Sequence, residues 1–173
     1  MTEIISIRGM DILQKDYQQV VIRGSGDEQF NQITNKYLSL QPPTKNLEII
    51  ENKKFLLAKS SFDQWNLIFL EKREHKEIIS LVSNLNANEE VLASDYSYGQ
   101  VYFEISGDKK EVYLNRLTHF DLRSKKFPVS SMGQTLIARI DCSIYNLENR
   151  YIISCNKSFE DYFKDRLLDS IDS

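Results

Sequence analysis

A pattern of strands and helices occurs twice in this chain of 173 residues, and the repetition limits the folds that the chain can adopt. VVIRGSGDEQF (20–30) aligns with VYFEISGDKKEV (101–112), which places Gly26-Asp27 opposite Gly107-Asp108. LLAK (56–59) aligns with LIAR (136–139) at nearly the same spacing. Self-similarity of this kind favours a duplicated unit within a single domain, with pseudo-repeats at about 17–88 and 96–171. Chance similarity is the alternative, because any two segments with this element order align about as well.

The first half has the predicted order β-α-β-β-α. A strand at 18–23 leads through a Gly-Ser-Gly turn to Asp27, which is placed to cap a helix that ends before a Pro-Pro pair. Apolar runs at 54–59 and 64–70 predict a hairpin, and the periodicity at 75–86 predicts an amphipathic helix. The predicted apolar stripe of this helix comprises Ile78, Ile79, Val82 and Leu85.

The second half repeats this order after a predicted linking strand at 90–94. A strand at 100–105 is followed by Asp108, which forms a capping-box pattern with Glu111 for a helix that runs through Leu117. The remaining predicted elements are a loop at 120–132, a long strand at 134–145, a strand at 150–156, and a helix that is opened by Ser158 and Asp161 and has Phe159, Tyr162, Phe163 and Leu167 on its apolar stripe. The two halves together predict an α+β fold built from two tandem β-α-β-β-α, ferredoxin-like halves.

The last two strands predict a hairpin whose register follows from its turn. A two-residue turn at Glu148-Asn149 pairs Leu147 with Arg150, and this register places Cys142 opposite Cys155. Alternation predicts a core face that comprises Leu136, Ala138, Ile140, Cys142 and Ile144. We interpret the two cysteines as buried, reduced thiols that pack as small apolar side chains. A cross-strand disulfide is the alternative, and the expected compartment argues against it.

The composition offers little material for catalysis. The chain has two His and two Cys, and no nucleophile motif surrounds His75 or His119. The wide separation of these residues gives no metal-binding spacing. Gly24-x-Gly26 follows a strand and precedes a helix, but the third glycine of a dinucleotide fingerprint is absent. We therefore predict no catalytic, cofactor-binding or metal-ligating residue on this chain.

Charge and hydropathy argue against nucleic-acid and membrane partners. The 22 Lys and Arg residues are interspersed with 25 Asp and Glu residues, for a net charge of −3, which is unlike a nucleic-acid-binding surface. The apolar runs are far shorter than the roughly 20 residues that a spanning helix needs. The first ten residues lack the pattern of a secretory signal, and we expect a cytoplasmic protein.

Two groups of residues are candidates for contact with a partner protein. One group is aromatic and lies in a Tyr-rich segment or at the only tryptophan, although core anchoring is the more usual role of a lone Trp. The other is the basic run RSKK at 123–126, for which a solvated loop is the alternative. The predicted interface residues are Tyr96, Tyr98, Trp65, Arg123, Lys125 and Lys126.

The segment 95–122 resembles the gamma subunit family of heterotetrameric sarcosine oxidase. In that family a D-x-S segment leads into a strand that ends in Ser-Gly, followed by a helix and then Asp-Leu. The matching residues here are Asp95, Ser97, Ser106, Gly107, Asp121 and Leu122, continued by Phe127, Gln134-Thr135-Leu136 with Arg139, and Ser158-Phe159-x-x-Tyr162. The first half matches more loosely, at Leu40-x-Pro42 and Asp63-Gln64-Trp65, with Ser61-Phe62 where the family usually has Gly-Pro. The resemblance covers about 20–170.

The resemblance implies a fold similar to the folate-binding domain of the aminomethyltransferase (glycine-cleavage T-protein) superfamily. It also implies a non-catalytic small subunit that packs with alpha, beta and delta subunits. Such complexes oxidise sarcosine to glycine, pass the methyl carbon to tetrahydrofolate or release it as formaldehyde, and produce hydrogen peroxide. The resemblance places FAD, FMN and NAD on the large subunits and zinc on another small one, with no cofactor on this chain.

Three other functions are kept as alternatives. N-methylglutamate dehydrogenase complexes use a similar small subunit, so the substrate of the complex could differ. A free-standing tetrahydrofolate-binding protein of the same superfamily is the second alternative, although the K-G-C motif expected of such proteins is absent. An unrelated interaction module of duplicated α+β form is the third.

Overall fold

The chain folds as two compact units, each with one antiparallel sheet. The computed structural model describes residues 4–173. One unit is contiguous and spans Tyr17–Ser97. The other combines the segment up to Asp16 with Tyr98–Ser173. The predicted α+β class is confirmed.

In chain order the elements are β1 (Ile4–Ile7), β2 (Met10–Lys15), β3 (Gln18–Gly24), α1 (Glu28–Leu38), β4 (Ile49–Glu51), β5 (Phe55–Ser61), β6 (Gln64–Phe69), α2 (His75–Asn86), β7 (Val91–Asp95), β8 (Gln100–Ser106), α3 (Lys110–Leu114), β9 (Ser131–Ile137), β10 (Ile140–Leu147), β11 (Arg150–Asn156), a 3-10 turn (Lys157–Phe159) and α4 (Glu160–Asp172).

The Tyr17–Ser97 unit has a five-stranded sheet in the order β4-β5-β6-β3-β7. β3 is paired on both sides, with β6 and with β7, and its alternate residues Val20 and Ile22 are fully buried. These residues share one core with Phe30 and Leu38 of α1 and with Ile78 and Leu85 of α2. The helices therefore cover one face of this sheet.

The other unit has a six-stranded sheet in the order β1-β2-β8-β11-β10-β9. Its central strand β8 pairs with β11 on one side and with the N-terminal strand β2 on the other. Phe103 of β8 lies 5.4 Å, centroid to centroid, from Phe163 of α4. Phe163, Leu167 and Ile171 of α4 join the same core. The N-terminal hairpin is thus an integral part of the C-terminal unit.

Local signals in the sequence predict several elements correctly. The carboxylate of Asp27 accepts a hydrogen bond from the backbone N–H of Phe30 at 2.9 Å and caps α1. This bond lowers the pKa of Asp27, because it stabilises the ionised form. The predicted helix at 75–86 has the bounds of α2. The β10–β11 register pairs Leu147 with Arg150, as predicted.

The predicted position of the cysteines is also confirmed. Cys142 lies opposite Cys155, and both are buried and free. The hydrogen bond with Cys155, together with burial, raises the pKa of the Cys142 thiol, so it stays protonated at neutral pH. The pair therefore packs as two small apolar side chains.

Several predicted boundaries are wrong. The segment 134–145 is not one strand, because a turn at Ala138-Arg139 divides it into β9 and β10. The strand predicted at 90–94 is present as β7, and it pairs with β3 as an edge of the first sheet, which the sequence did not indicate. Asp108 does not cap α3, whose cap position is Lys109 with no side-chain hydrogen bond, and the helix ends at Leu114.

Some side chains on the predicted apolar stripes are exposed. Ile79, Leu136, Phe159 and Tyr162 are all exposed, whereas their neighbours on the same elements form the core. Ser158 does not cap the last helix. Asn156 caps the 3-10 turn before α4, because its side chain accepts from the backbone N–H of Ser158, and the cap position of α4 itself is Phe159, with no side-chain hydrogen bond. The buried face of each helix is therefore narrower than the sequence predicts, because only the side that faces the sheet is covered.

Trp65 lies in the core of the first unit and is 1% exposed. Its indole N–H donates to the backbone carbonyl of Pro43 at 3.0 Å, and its ring lies 4.5 Å from the ring of Phe30. Gly26, at a φ of 74°, leaves room for this ring, because a Cβ there would come within 3.0 Å of the indole. The tryptophan thus ties the turn before α1 and the segment after it to the sheet.

We predict that Trp65→Phe lowers the free energy of unfolding by about 1–3 kcal/mol, because it leaves the buried Pro43 carbonyl without a donor and opens a small cavity. Chemical denaturation of the full chain measures this. Phe62→Ala is the matched control in the adjacent β5–β6 turn, where the ring is 75% exposed, and should change stability by less than about 0.5 kcal/mol. Equal losses in the two variants would contradict the assigned role of Trp65.

Candidate functional site

The predicted aromatic contact residues differ in accessibility. Tyr98 is 82% exposed and Tyr96 is 46% exposed, whereas Trp65 is buried and offers no surface to a partner. The backbone around Tyr96 is held in place, because its N–H donates to the carbonyl of Gln19 at 2.8 Å. The next residue, Ser97, donates from its N–H and its hydroxyl to the Asp95 carboxylate, at 3.0 and 2.6 Å. The D-x-S segment therefore fixes the backbone that carries Tyr96.

The basic loop at 123–126 is anchored at both ends. Leu122 and Phe127 flank it and are buried in the core of the C-terminal unit. The backbone N–H of Lys126 donates to the carbonyl of Arg123 at 2.8 Å. The anchored loop leaves the side chains of Arg123, Lys125 and Lys126 exposed to solvent.

Arg123 has an acidic partner within the loop. Its guanidinium donates to both carboxylate oxygens of Asp121, at 2.8 and 2.5 Å. This pairing lowers the pKa of Asp121 from 3.8 to about 2. Arg123 is therefore partly neutralised, and Lys125 and Lys126 supply the remaining exposed positive charge of the loop.

A larger cationic feature lies elsewhere in the C-terminal unit. A cavity of about 550 Å³ lies between the end of α3, the β9–β10 turn and α4. We call it the arginine groove, and its lining side chains include Arg116, His119, Leu136, Arg139, Tyr162 and Arg166. Three of these residues are arginines, and none of the described residues that line the cavity is Asp or Glu. The groove is a local exception to the mixed charge of the chain.

The turn at the rim of the groove has an unfavourable backbone. Ala138 and Arg139 join β9 to β10 with φ values of 52° and 68°, both in the left-handed region. A two-residue hairpin of this type normally takes Asn and Gly at these positions, because a Cβ is disfavoured there. The β1–β2 hairpin has a turn of the same kind at Arg8-Gly9, with φ values of 49° and 85°, and places a glycine second.

Neighbouring elements hold the Ala138-Arg139 turn in this conformation. The N–H of Ala138 donates to the carbonyl of Leu117 at 2.8 Å. The hydroxyl of Thr118 donates to the carbonyl of Leu136 at 2.7 Å, and the hydroxyl of Tyr162 donates to the carbonyl of Ala138 at 3.4 Å. The segment after α3 and the first turns of α4 thus determine where Arg139 lies.

The three arginines of the groove have different surroundings. Arg116 donates to the carbonyl of Ser170 at 2.5 Å, which is a neutral acceptor, and it forms no ion pair within the described part of the chain, 4–173. Arg166 pairs with Asp169 on the same helix. Arg139 is exposed at the tip of the turn and lines both this groove and an adjacent cavity of about 700 Å³.

Sequence reasoning missed the groove. The segment 134–145 was expected to be one strand, which would place Leu136 on the core face and leave no turn at Arg139. Ala138-Arg139 contains no Gly, Asn, Asp or Pro, so the usual signals of a turn are absent. The available signal was the family resemblance, because the matching residues Leu136, Arg139, Phe159 and Tyr162 all line this groove or the cavity beside it.

The two histidines lie on the surface of the chain. His75 is at the start of α2, and His119 lines the arginine groove. Within 4–173, no three side chains of His, Cys, Asp or Glu come together as a set of metal ligands. The helices in this part of the chain are also too short or too polar to cross a membrane.

The family model described as sarcosine oxidase, gamma subunit family, matches residues 23–172. The chain belongs to the sarcosine oxidase gamma subunit family. The resemblance read from the sequence is therefore confirmed, and it extends over both units. Among curated protein sequences, none matches this gamma-family chain.

Solved structures show the same fold at low sequence identity. A heterotetrameric sarcosine oxidase from Corynebacterium sp. U-96, in complex with pyrrole 2-carboxylate, contains a chain with a TM-score of 0.84 and 16% identity, over 98% of this chain and 87% of that one. The glycine cleavage system aminomethyltransferase T from Bartonella henselae gives a TM-score of 0.62 at 11% identity, over 88% of this chain and 43% of that one. The regulatory subunit of aspartate kinase from Thermus thermophilus gives a TM-score of 0.52 at 10% identity, over 97% of this chain and 99% of that one. The gamma-family chain thus has the aminomethyltransferase-like fold that its sequence implied.

We predict that Arg123→Gln returns the pKa of Asp121 from about 2 toward its ordinary value of 3.8, because the guanidinium that stabilises the carboxylate is lost. Since the folded-state pKa is lowered, the Asp121–Arg123 interaction is present above pH 3.8 and is lost as the pH falls toward 2. Titration of the Asp121 carboxyl by NMR measures the shift. Lys125→Gln is the control in the same loop, and an equal shift in that variant would contradict the direct pairing.

We predict that Arg139→Gly stabilises the isolated chain by about 0.5–1 kcal/mol, because relief of the left-handed strain outweighs the added entropy of glycine in the unfolded state. The melting temperature should rise by about 1–4 °C. Arg139→Ala is the matched control, because it removes the same side chain but keeps the Cβ. If the alanine and glycine variants melt at the same temperature, the turn is not strained.

Proposed function

We propose that this chain is a non-catalytic small subunit of a heterotetrameric sarcosine oxidase complex. The observation that carries the proposal is the family match over residues 23–172. The structural match to a chain of heterotetrameric sarcosine oxidase, which covers 98% of this chain, also supports it. In the proposed complex, sarcosine is oxidatively demethylated to glycine. Its methyl carbon is passed to tetrahydrofolate or released as formaldehyde.

The partners in this proposal are the alpha, beta and delta subunits. We assign FAD, FMN, NAD and zinc to these other subunits and no cofactor to this chain. The sequence supports this division, because no intact dinucleotide fingerprint or nucleophile motif is present. We place the complex in the cytoplasm, since the apolar runs of the sequence are far too short to span a bilayer.

The predicted contact residues other than Trp65 form part of the same proposal. Tyr98 is a large, exposed aromatic side chain, of the kind that anchors interfaces. Lys125 and Lys126 add positive charge on a loop that is anchored at Leu122 and Phe127, so their position would cost little ordering entropy on binding.

The duplicated organisation of the chain is likewise a proposal. The spatial strand order β4-β5-β6-β3-β7 in one unit matches β9-β10-β11-β8-β2 in the other, with β1 added at the edge. The first four strands of each also match in chain order, whereas β7 follows its partners in the chain and β2 precedes its own. This equivalence supports an ancestral repeat of about 17–88 and 96–171. The equivalent of β5 is β10, however, so LLAK (56–59) does not correspond to LIAR (136–139), which ends β9 and forms the turn.

We predict that the full chain, co-expressed with alpha, beta and delta subunits from the same organism, co-purifies with an affinity-tagged alpha subunit in equal amount. The chain purified alone should be colourless and should not turn over sarcosine. Gel filtration and the flavin absorbance of each fraction measure both properties. Stoichiometric flavin on the isolated chain, with turnover of sarcosine, would overturn the proposal.

The same material separates the alternatives. Activity of the complete complex on sarcosine and on N-methylglutamate distinguishes the oxidase from the related dehydrogenase. Calorimetric titration of the isolated chain with tetrahydrofolate tests the free-standing folate-binding protein, for which micromolar affinity is expected. The subunit proposal expects no such binding to the isolated chain.

A further inference from the structure

The arginine groove combines a concentrated positive charge with exposed apolar surface. Arg116, Arg139 and Arg166 line one cavity of about 550 Å³, and among residues 4–173 only Arg166 of the three has a carboxylate partner, Asp169. A cleft lined by charges of one sign focuses its electrostatic potential more than the same charges on a flat surface. An anionic group complements such a cleft, because a guanidinium binds a carboxylate or a phosphate with two parallel hydrogen bonds.

The apolar part of the groove indicates a protein segment as the occupant. Leu136 and Tyr162 line the groove, and both side chains are about half exposed, at 56% and 48%. Phe159, also exposed, lines the adjacent cavity, which shares Leu136 and Arg139 with the groove. Exposed Tyr and Arg side chains around a concave surface are the composition typical of binding hot spots. A small inorganic anion would leave this apolar surface in water.

The geometry of the turn gives the groove a preformed shape. Arg139 lies on a left-handed backbone position. Leu117 and Tyr162 hold this turn through hydrogen bonds to Ala138, and Thr118 holds the strand before it through a hydrogen bond to Leu136. A partner that binds there does not have to order the backbone that presents Arg139. Preformed binding surfaces lose less conformational entropy on association.

We infer that the arginine groove is a docking site for an acidic segment of another subunit, in which Asp or Glu side chains pair with Arg139 and Arg116 and an apolar side chain packs on Leu136 and Tyr162. This inference rests on the proposed function, because it takes the partner to be a subunit of the same complex. It assigns the main contact to the groove, in place of the basic loop at 123–126.

The test uses the full chain co-expressed with the alpha, beta and delta subunits, and measures how much of the chain is retained per tagged alpha subunit after washing at low salt. Arg139→Glu should reduce retention roughly tenfold or more, and Arg139→Gln should reduce it less, because reversal adds repulsion to the loss of attraction. Arg23→Glu, an exposed arginine of the first unit that does not line the groove, is the matched control and should leave retention unchanged. Raising the salt from about 50 to about 300 mM should release more of the wild-type chain, because salt screens the contacts between charged groups.

The Arg139→Gly variant separates misfolding from lost binding. It should lose retention although the isolated chain melts at a higher temperature than wild type. Retention of Arg139→Glu at the wild-type level, or equal loss in Arg139→Glu and Arg23→Glu, would overturn the inference and leave the subunit proposal standing. Loss confined to Lys125→Glu would also overturn it, in favour of the basic loop. Failure of the wild-type chain to co-purify at all would overturn the subunit proposal and the inference with it.

Discussion

Each unit depends on one central strand that is hydrogen-bonded on both sides to strands distant in the sequence. β3 lies between β6 and β7, and β8 lies between β11 and the N-terminal strand β2. Because side chains alternate along a strand, a slip of one residue in any of these pairings would turn Val20 and Ile22, or Phe103 and Ile105, away from the core. Burial of the core side chains on β3 and β8 therefore fixes the register of these strand pairings. The C-terminal unit in particular is complete only when residues from both ends of the chain have come together.

This constraint explains which parts of the fold can be predicted from the sequence. Asp27, the helix at 75–86 and the Cys142–Cys155 pairing each follow from a cap, a periodicity or a turn within a few residues. The positions of β2 and β7 depend on pairing with β8 and β3, respectively. These partners are distant in the sequence, so no local pattern predicts the pairing. The sequence therefore predicts a strand at the position of β7 but not its place in the first sheet, and it does not predict β1 and β2.

The candidate site was less predictable than the fold for a related reason. Tyr98, Lys125 and Lys126 are exposed as expected, but the arginine groove assembles residues from the segment after α3, the β9–β10 turn and α4. Arg116, Arg139 and Arg166 are separated in sequence and share no motif. Exposure of Leu136 and Tyr162 also contradicts a simple assignment of apolar residues to the core, and exposed apolar residues beside charged ones are more informative about binding than about folding.

The unfavourable turn at Ala138-Arg139 connects stability with function. A chain selected for stability alone would place Asn or Gly there, as the β1–β2 hairpin does with Gly9. Glycine would leave the hairpin intact but would remove the charged side chain that two adjacent cavities share. Left-handed strain of about 1–2 kcal/mol per residue is a substantial cost for a protein of marginal stability. Three hydrogen bonds from neighbouring elements hold this conformation, two of them to Ala138 in the turn and one to Leu136, two residues before it. Strain that neighbouring elements enforce, at a position where the side chain faces solvent and a cavity, is the pattern expected of a residue retained for what it binds.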